Sequence, residues 1–175
     1  MAITLSDALK MAAPHMSKDD TLRTLCGIKI TDGVVMATDR YTAVRITVEG
    51  VPDAFVPAAI VKQGVISIAG NVATLKTGAT IPLPDMEDVG DYPSIEKLFT
   101  DFKPADAQSD HYAQNPLAFA INPAMFDKFL PKHFPKYSGS LKIELGETPI
   151  KPLRVTLPNV PEFVALWVPI KLSAF

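Results

Sequence analysis

Three histidines, one cysteine and a short acidic run are the groups in this 175-residue chain best suited to bond-making chemistry, and their spacing works against it. His15, His111 and His133 lie far apart, and none belongs to an HxxxH-type pair that would aim two imidazoles at one metal ion. Each reads as a surface or partly buried histidine. Cys26 follows Leu25 in a strand-like pattern, which suits a buried, inert thiol rather than a nucleophile. Asp85, Glu87, Asp88 and Asp91 could gather around a divalent cation, but they lack the spacing of a calcium loop and read as a solvated turn. Asp39 next to Arg40 could suggest an acid or base, but the pair has no third member in the sequence. GxSxG, Walker and GxGxxG patterns are absent. The expectation is a protein that is not an enzyme, with no catalytic residues, no metal site and no cofactor.

The lysines carry a clearer message. Lys128, Lys132 and Lys136 recur every four residues, so a continuing helix would align them along one side, although Pro131 and Pro135 oppose a regular helix there. Lys10 and Lys18 flank the first predicted helix and Lys62 lies in the second. Such point charges suit non-specific contact with phosphates, and they equally suit an ordinary solvated helix face. The net charge of −2 argues against a protein that grips nucleic acid with its whole surface. Two apolar stretches are more distinctive. Ala37-Thr38-Asp39-Arg40-Tyr41-Thr42-Ala43-Val44 and Leu166-Trp167-Val168-Pro169-Ile170-Lys171-Leu172 both set small, apolar and β-branched residues where a strand would end beside a groove. Together they predict a surface that receives a partner's hydrophobic peptide.

The elements that must position these residues are short and numerous. Sixteen prolines against nine glycines, many of them at apparent element boundaries, favour this over a long-helix bundle. Leu5, Ala8, Leu9, Met11 and Ala12 form a helical stripe capped by Thr4 or Ser6 and stopped near Pro14. Leu22–Ile30, Val34–Thr38 and Thr42–Val48 read as strands, the first two joined by an Asp32-Gly33 hairpin turn. A second module begins at Val56-Pro57, with a short helix to Gly64, then strands at Val65–Ala69, Val72–Thr77 and Thr80–Leu83, the last an edge or a terminus because of Pro82. Asp91–Phe99 closes it. Thr100–Asn115 reads as a linker. A third module runs from a strand at Leu117–Ile121, through a helix capped by Asn122 and started by Pro123, to strands at Leu141–Leu145, Leu153–Leu157 and Phe163–Pro169. One helix followed by strands thus recurs three times, with an approximate period of about 55–60 residues. A hydrophobic content of 47 % with 21 % charged residues describes a globular protein. No apolar run reaches the roughly 18 residues of a membrane helix, and the start lacks the pattern of a signal peptide, so a cytoplasmic location is expected, with no membrane partner.

Taken in order, three segments resemble bacterial DNA polymerase β sliding clamps. The run Ala37-Thr38-Asp39-Arg40-Tyr41-Thr42-Ala43 is similar to the clamp strand that ends in Ala-Thr-Asp. Gly90-Asp91-Tyr92-Pro93-Ser94-Ile95 looks like the clamp segment Gly-x-Phe-Pro-Asp-Tyr. Leu166 to Leu172 resembles the terminal apolar-apolar-Met-Pro-Met-Arg-Leu. The resemblance implies an α+β, DNA-clamp-like fold of repeated helix plus antiparallel-strand modules, about three of them where a bacterial clamp has six. Residues 1–99 would form a complete clamp-like domain of two modules, 100–116 a linker, and 117–175 a half domain ending in the peptide-pocket strand. It implies a shortened, phage-type sliding clamp that encircles double-stranded DNA as a homo-oligomeric ring and tethers polymerase, and also a clamp loader, through a short apolar peptide. The alternative is a clamp-like adaptor or inhibitor that binds a partner peptide without encircling DNA. Carried over residue by residue, one pocket wall would be Thr38, Arg40, Tyr41, Thr42 and Ala43, with Leu98 and Phe99 beside it. The other would be Leu166, Val168, Pro169, Ile170 and Leu172. Lys10, Lys18, Lys62, Lys128, Lys132 and Lys136 would face DNA. Because a lone half domain leaves an open sheet edge, self-association through edges is expected.

Overall fold

The computed structural model describes residues 3–104, 126–129, 133, 140–148 and 151–168 of the chain. Helix α1 (Leu5–Ala12) starts where the sequence says it should. Thr4 adopts an extended conformation and its Oγ1 accepts from the Asp7 N–H at 3.2 Å, while its hydroxyl donates to the Asp7 carboxylate at 2.8 Å. Pro14 then tightens the chain into a single 3-10 turn at Ala13–His15.

Strands β1 (Gly27–Thr31), β2 (Val34–Thr38) and β3 (Thr42–Thr47) form an antiparallel meander. Its first turn is Asp32-Gly33, with φ of 52° and 70°, the pair of left-handed residues that a tight hairpin turn demands. Strand β4 (Ala54–Pro57) adds to β1 on the outer edge and passes directly into the one-turn helix α2 (Ala58–Val61). Strands β5 (Val65–Ala69), β6 (Val72–Leu75) and β7 (Thr80–Pro82) make a separate three-stranded sheet. Helix α3 (Glu96–Thr100) follows a 3-10 turn at Met86–Val89.

Strands β8 (Lys142–Glu144), β9 (Leu153–Leu157) and β10 (Val160–Trp167) do not build a sheet of their own. They join the first meander in one seven-stranded sheet of order β4-β1-β2-β3-β10-β9-β8, with β10 antiparallel to β3. Strands from both sides of the expected 100–116 linker therefore lie in one sheet.

Alternation assigns the sheet faces. Ile28, Ile30, Val35, Ala37, Val44, Ile46, Val155, Phe163, Ala165 and Trp167 point to one side, where they are all buried together with Leu5, Leu9 and Met11 of α1. At roughly 1.5–3 kcal/mol for each large apolar side chain removed from water, this face supplies most of the driving force for folding. The opposite face carries Met36, Ala43, Arg45, Arg154 and Leu166 and is crossed by the chain from Tyr92 to Phe102.

Several elements differ from expectation. Leu22–Ile30 is not one strand, because a 3-10 turn at Arg23–Leu25 precedes β1. Cys26 falls in the bend between them. It is only partly buried, with its thiol against the Asp19 carbonyl at 3.2 Å, and is not a core strand residue. The second module opens with a strand, β4, that the sequence reading replaced by the start of a helix. The strands at Val72 and Thr80 stop earlier than predicted, at Leu75 and Pro82. The strand at Leu117–Ile121 and the Asn122-Pro123 helix start lie outside the described residues, which take in helical Phe126 and a 3-10 turn at Asp127–Phe129 farther along. Among the described residues no helix is long and apolar enough to cross a membrane.

Candidate functional site

The β2–β3 turn is built around one carboxylate. Asp39 Oδ1 accepts from the Tyr41 N–H at 3.1 Å, the Thr42 N–H at 2.8 Å and the Thr42 hydroxyl at 2.9 Å. An Asx arrangement of this kind satisfies donors that the turn would otherwise leave bare. Thr38 contributes from the other strand: its hydroxyl donates to the Thr42 carbonyl at 2.8 Å and accepts from the Arg40 N–H at 3.2 Å. Arg40 is thereby held at φ 78°, left-handed backbone that a non-glycine residue adopts only when its surroundings impose it. The turn throws Arg40 and Tyr41 outward, Tyr41 being 58 % exposed, while Thr38, Thr42 and Ala43 are buried.

The last described strand comes to this turn. In the β3–β10 register Leu166 lies opposite Ala43 and Trp167 opposite Thr42, and the Val168 N–H donates to the Tyr41 carbonyl at 2.9 Å. Thr38, Ala43 and Leu166 consequently sit side by side across three strands on the outer face. Ile95 packs on Met36 and Ala43, with Phe99 and Tyr92 at the margin, so α3 lies over the same face. Leu98, beside Phe99, is 50 % exposed and Val168 is 40 % exposed. The structure thus brings Thr38, Arg40, Tyr41, Thr42, Ala43, Leu166 and Val168 together at one end of the sheet, beside the helix that carries Leu98 and Phe99. Pro169, Ile170 and Leu172 lie outside the described residues. The assembled surface is a buried small-residue floor with exposed apolar side chains at its margin. It can bury an apolar anchor.

The crossing segment is pinned along its length. The Tyr92 ring meets Phe55 edge-on at 6.5 Å, its hydroxyl donates to the Met36 carbonyl at 3.3 Å, and Lys29 Nζ lies 5.8 Å above it. Burial pushes the Tyr92 phenol well above its usual range. Glu96 pairs with Arg45 at 3.0 Å, and Phe102 lies under the Arg154 guanidinium at 4.7 Å. Arg154 in turn donates to Glu144 at 2.8 Å, and that hydrogen bond is the main influence holding the Glu144 carboxyl low. A groove of about 490 Å³ opens between Tyr92–Glu96 and Lys29, Thr31, Asp32 and Val34, toward the end of the sheet away from Tyr41.

Beneath the turn lies a polar cluster that sequence reading missed. His15 is fully buried, not at the surface, and its Nδ1 is 3.1 Å from the Thr42 hydroxyl oxygen. Burial drives its pKa down to about 3, with the Lys128 charge adding to the effect and Asp39 opposing it. Lys128, expected among the DNA-facing lysines, turns inward instead. Its ammonium contacts the Asp39 carboxylate and lies 2.9 Å from the Thr42 hydroxyl, with its side chain 15 % exposed. Burial alone would raise the Asp39 carboxyl, but the hydrogen bond and charge of Lys128, with the Thr42 donors, hold it below the ordinary range. Asp39 therefore does have a third member, supplied from 89 residues away. The one local signal was the Asp with hydrogen-bonding residues two and three positions on, an Asx pattern. Of the other lysines, Lys10 on α1, Lys18 and Lys62 are exposed, Lys10 standing 4.0 Å from Asp7. Lys132 and Lys136 lie outside the described residues. No group of three or more His, Cys, Asp or Glu placed to hold a metal ion occurs among the described residues.

No protein-family model matches the sequence, and no curated protein does. Solved structures do match. The Helicobacter pylori β clamp in complex with diflunisal aligns with a TM-score of 0.64 at 17 % identity, covering 98 % of this chain and 65 % of that one. The same organism's β clamp bound to a DNA ligase peptide aligns at 0.63 and 15 % identity, covering 96 % and 63 %. The DNA polymerase sliding clamp of Bacillus subtilis aligns at 0.60 and 14 % identity, covering 95 % and 62 %. The chain spans a little under two thirds of the length of these structures. On these alignments, this chain has the fold of the DNA polymerase III β sliding clamps.

Proposed function

We propose that this protein is a non-enzymatic, sliding-clamp-type processivity factor whose slot between the β2–β3 turn and the end of β10 receives a short apolar peptide of a DNA polymerase or clamp loader. The observation that carries the reading is the Val168–Tyr41 hydrogen bond, which closes the two resembling segments into one surface. Full burial of one Leu or Phe anchor there is worth roughly 1.5–3 kcal/mol, so a weak, exchangeable tether takes more than one such anchor. On this reading exposed Lys10, Lys18 and Lys62, with Lys132 and Lys136, supply non-specific phosphate contacts, and the ring forms by self-association of several copies. Fluorescence anisotropy with a labelled peptide bearing a Leu-Phe pair tests the slot. Leu98→Glu and Val168→Glu, at exposed positions, should each weaken binding at least tenfold while leaving thermal stability nearly unchanged. Undiminished binding in both variants sinks the slot.

A second reading, a clamp-like adaptor or inhibitor that binds a peptide without encircling DNA, draws support from β7. The Leu75 N–H bonds to the Ala79 carbonyl and the Leu83 N–H to the Asn71 carbonyl, so residues 79, 81 and 83 face β6 and residues 80 and 82 face outward. Pro82 offers no N–H to a new strand, and Pro84 follows it. A three-residue, proline-ended edge is a poor site for continuing a ring. Light-scattering mass in solution separates the readings. A stable monomer at micromolar concentration favours the adaptor, and a discrete oligomer favours the ring.

A further inference from the structure

The Thr42 hydroxyl touches three polar groups and has one proton to give. The ionised Asp39 carboxylate only accepts, so the hydroxyl donates to it and must accept from both the Lys128 ammonium and His15 Nδ1. His15 therefore carries a proton on Nδ1, and its full burial keeps the ring neutral. This makes a directional chain of donors converging on Asp39, the group that organises the Tyr41 and Thr42 amides. Its two ends come from distant segments: His15 closes the turn after α1, and Lys128 belongs to the segment whose Phe126 ring meets Trp167 of β10 edge-on at 5.8 Å.

We propose that Lys128 is a positioning residue for the slot: by neutralising Asp39 it fixes the Asp39–Thr42 turn, so the wall bearing Arg40 and Tyr41 takes its shape only when the third module is docked. The proposal rests on the peptide-slot reading for its effect on binding, and not for its effect on the turn. Without the ammonium, a half-buried carboxylate faces desolvation with only the turn donors to offset it, and the turn opens more often.

The test compares wild type with Lys128→Met, Lys128→Arg and Asp39→Asn by native-state amide hydrogen exchange and by affinity for the labelled Leu-Phe peptide. Lys128→Met should raise exchange of the Tyr41 and Thr42 amides roughly tenfold while the Ala73 and Leu75 amides of the separate sheet stay put. It should weaken the peptide by a similar factor, and Lys128→Arg should restore most of both. The His15 ring signals should also shift in Lys128→Met, since Lys128 is one of the charges acting on that imidazole. Unchanged Tyr41 and Thr42 exchange overturns the proposal. So does an equal rise at all amides, which would make Lys128 a general stabiliser. If wild type binds no peptide, the slot reading fails while the exchange comparison still decides the positioning role.

Discussion

Acidification should weaken this fold well before its carboxylates protonate, because of one buried imidazole. His15 has a pKa near 3 in the folded protein against an ordinary value of 6.5. The folded value is the lower one, so between the two the unfolded chain takes up a proton that the fold refuses. The contribution is fully present above about pH 6.5 and is lost as the pH falls toward 3. The slope in the middle of that window approaches about 1.4 kcal/mol per pH unit for one proton. From pH 7.5 to pH 5 the expected loss is about 2 kcal/mol. For a chain of this length that lowers Tm by roughly 4–8 °C. Stopping at pH 5 keeps most carboxylates, including the depressed Asp39, ionised at both ends. The assay is urea unfolding at half-unit pH intervals, followed by circular dichroism, on wild type and His15→Gln, whose amide can still donate to Thr42 but does not titrate. The variant should lose the slope between pH 5 and 6.5 even if it is less stable throughout. A flat wild-type profile, or an equal slope in the variant, refutes the placement of His15 as a buried neutral donor.

Trp167→Ala should cost about 3–5 kcal/mol in urea unfolding, since the indole is 1 % exposed beneath the sheet, and a loss below about 1 kcal/mol would mean that β10 does not bury it. Pro82→Val should restore an outward N–H to β7 and raise the apparent mass in light scattering, whereas an unchanged mass would show that the proline is not what keeps that edge unpaired.

What the sequence made legible was local. The Thr4 cap, the Asp32-Gly33 turn, the strands at Val34–Thr38 and Thr42–Val48 and the proline-marked edge at β7 each depend on a few neighbouring side chains; all are in place, the second strand ending at Thr47. What it hid depends on partners distant in the chain. Ala54-Phe55-Val56-Pro57 is too short to show a period and ends in a proline that equally suits a helix start, so only its pairing with β1 makes it a strand. Tyr92–Phe102 has no periodicity at all. Its course is set by what the outer sheet face offers: Phe55 for Tyr92, Met36 and Ala43 for Ile95, Arg45 for Glu96 and Arg154 for Phe102.

The slot and the cluster under it show the same division within one turn. Ala37–Ala43 and Leu166–Val168 were recognisable as segments because a strand end beside a groove needs small and β-branched residues locally. The β3–β10 register that joins them is a long-range pairing that neither segment displays by itself. Lys128 shows why spacing alone misassigned a residue. A lysine in an i, i+4 series has the sequence pattern of a solvated helix face, and nothing adjacent to it signals otherwise. Its surroundings are decided by Asp39, which is half committed to its own turn and has an oxygen left to satisfy in a site that leaves it only partly exposed. A half-buried carboxylate in that position costs more unpaired than a long lysine side chain costs to order. Electrostatics at the turn therefore outweighs the periodic pattern, and the charge is drawn inward to the hairpin that walls the slot.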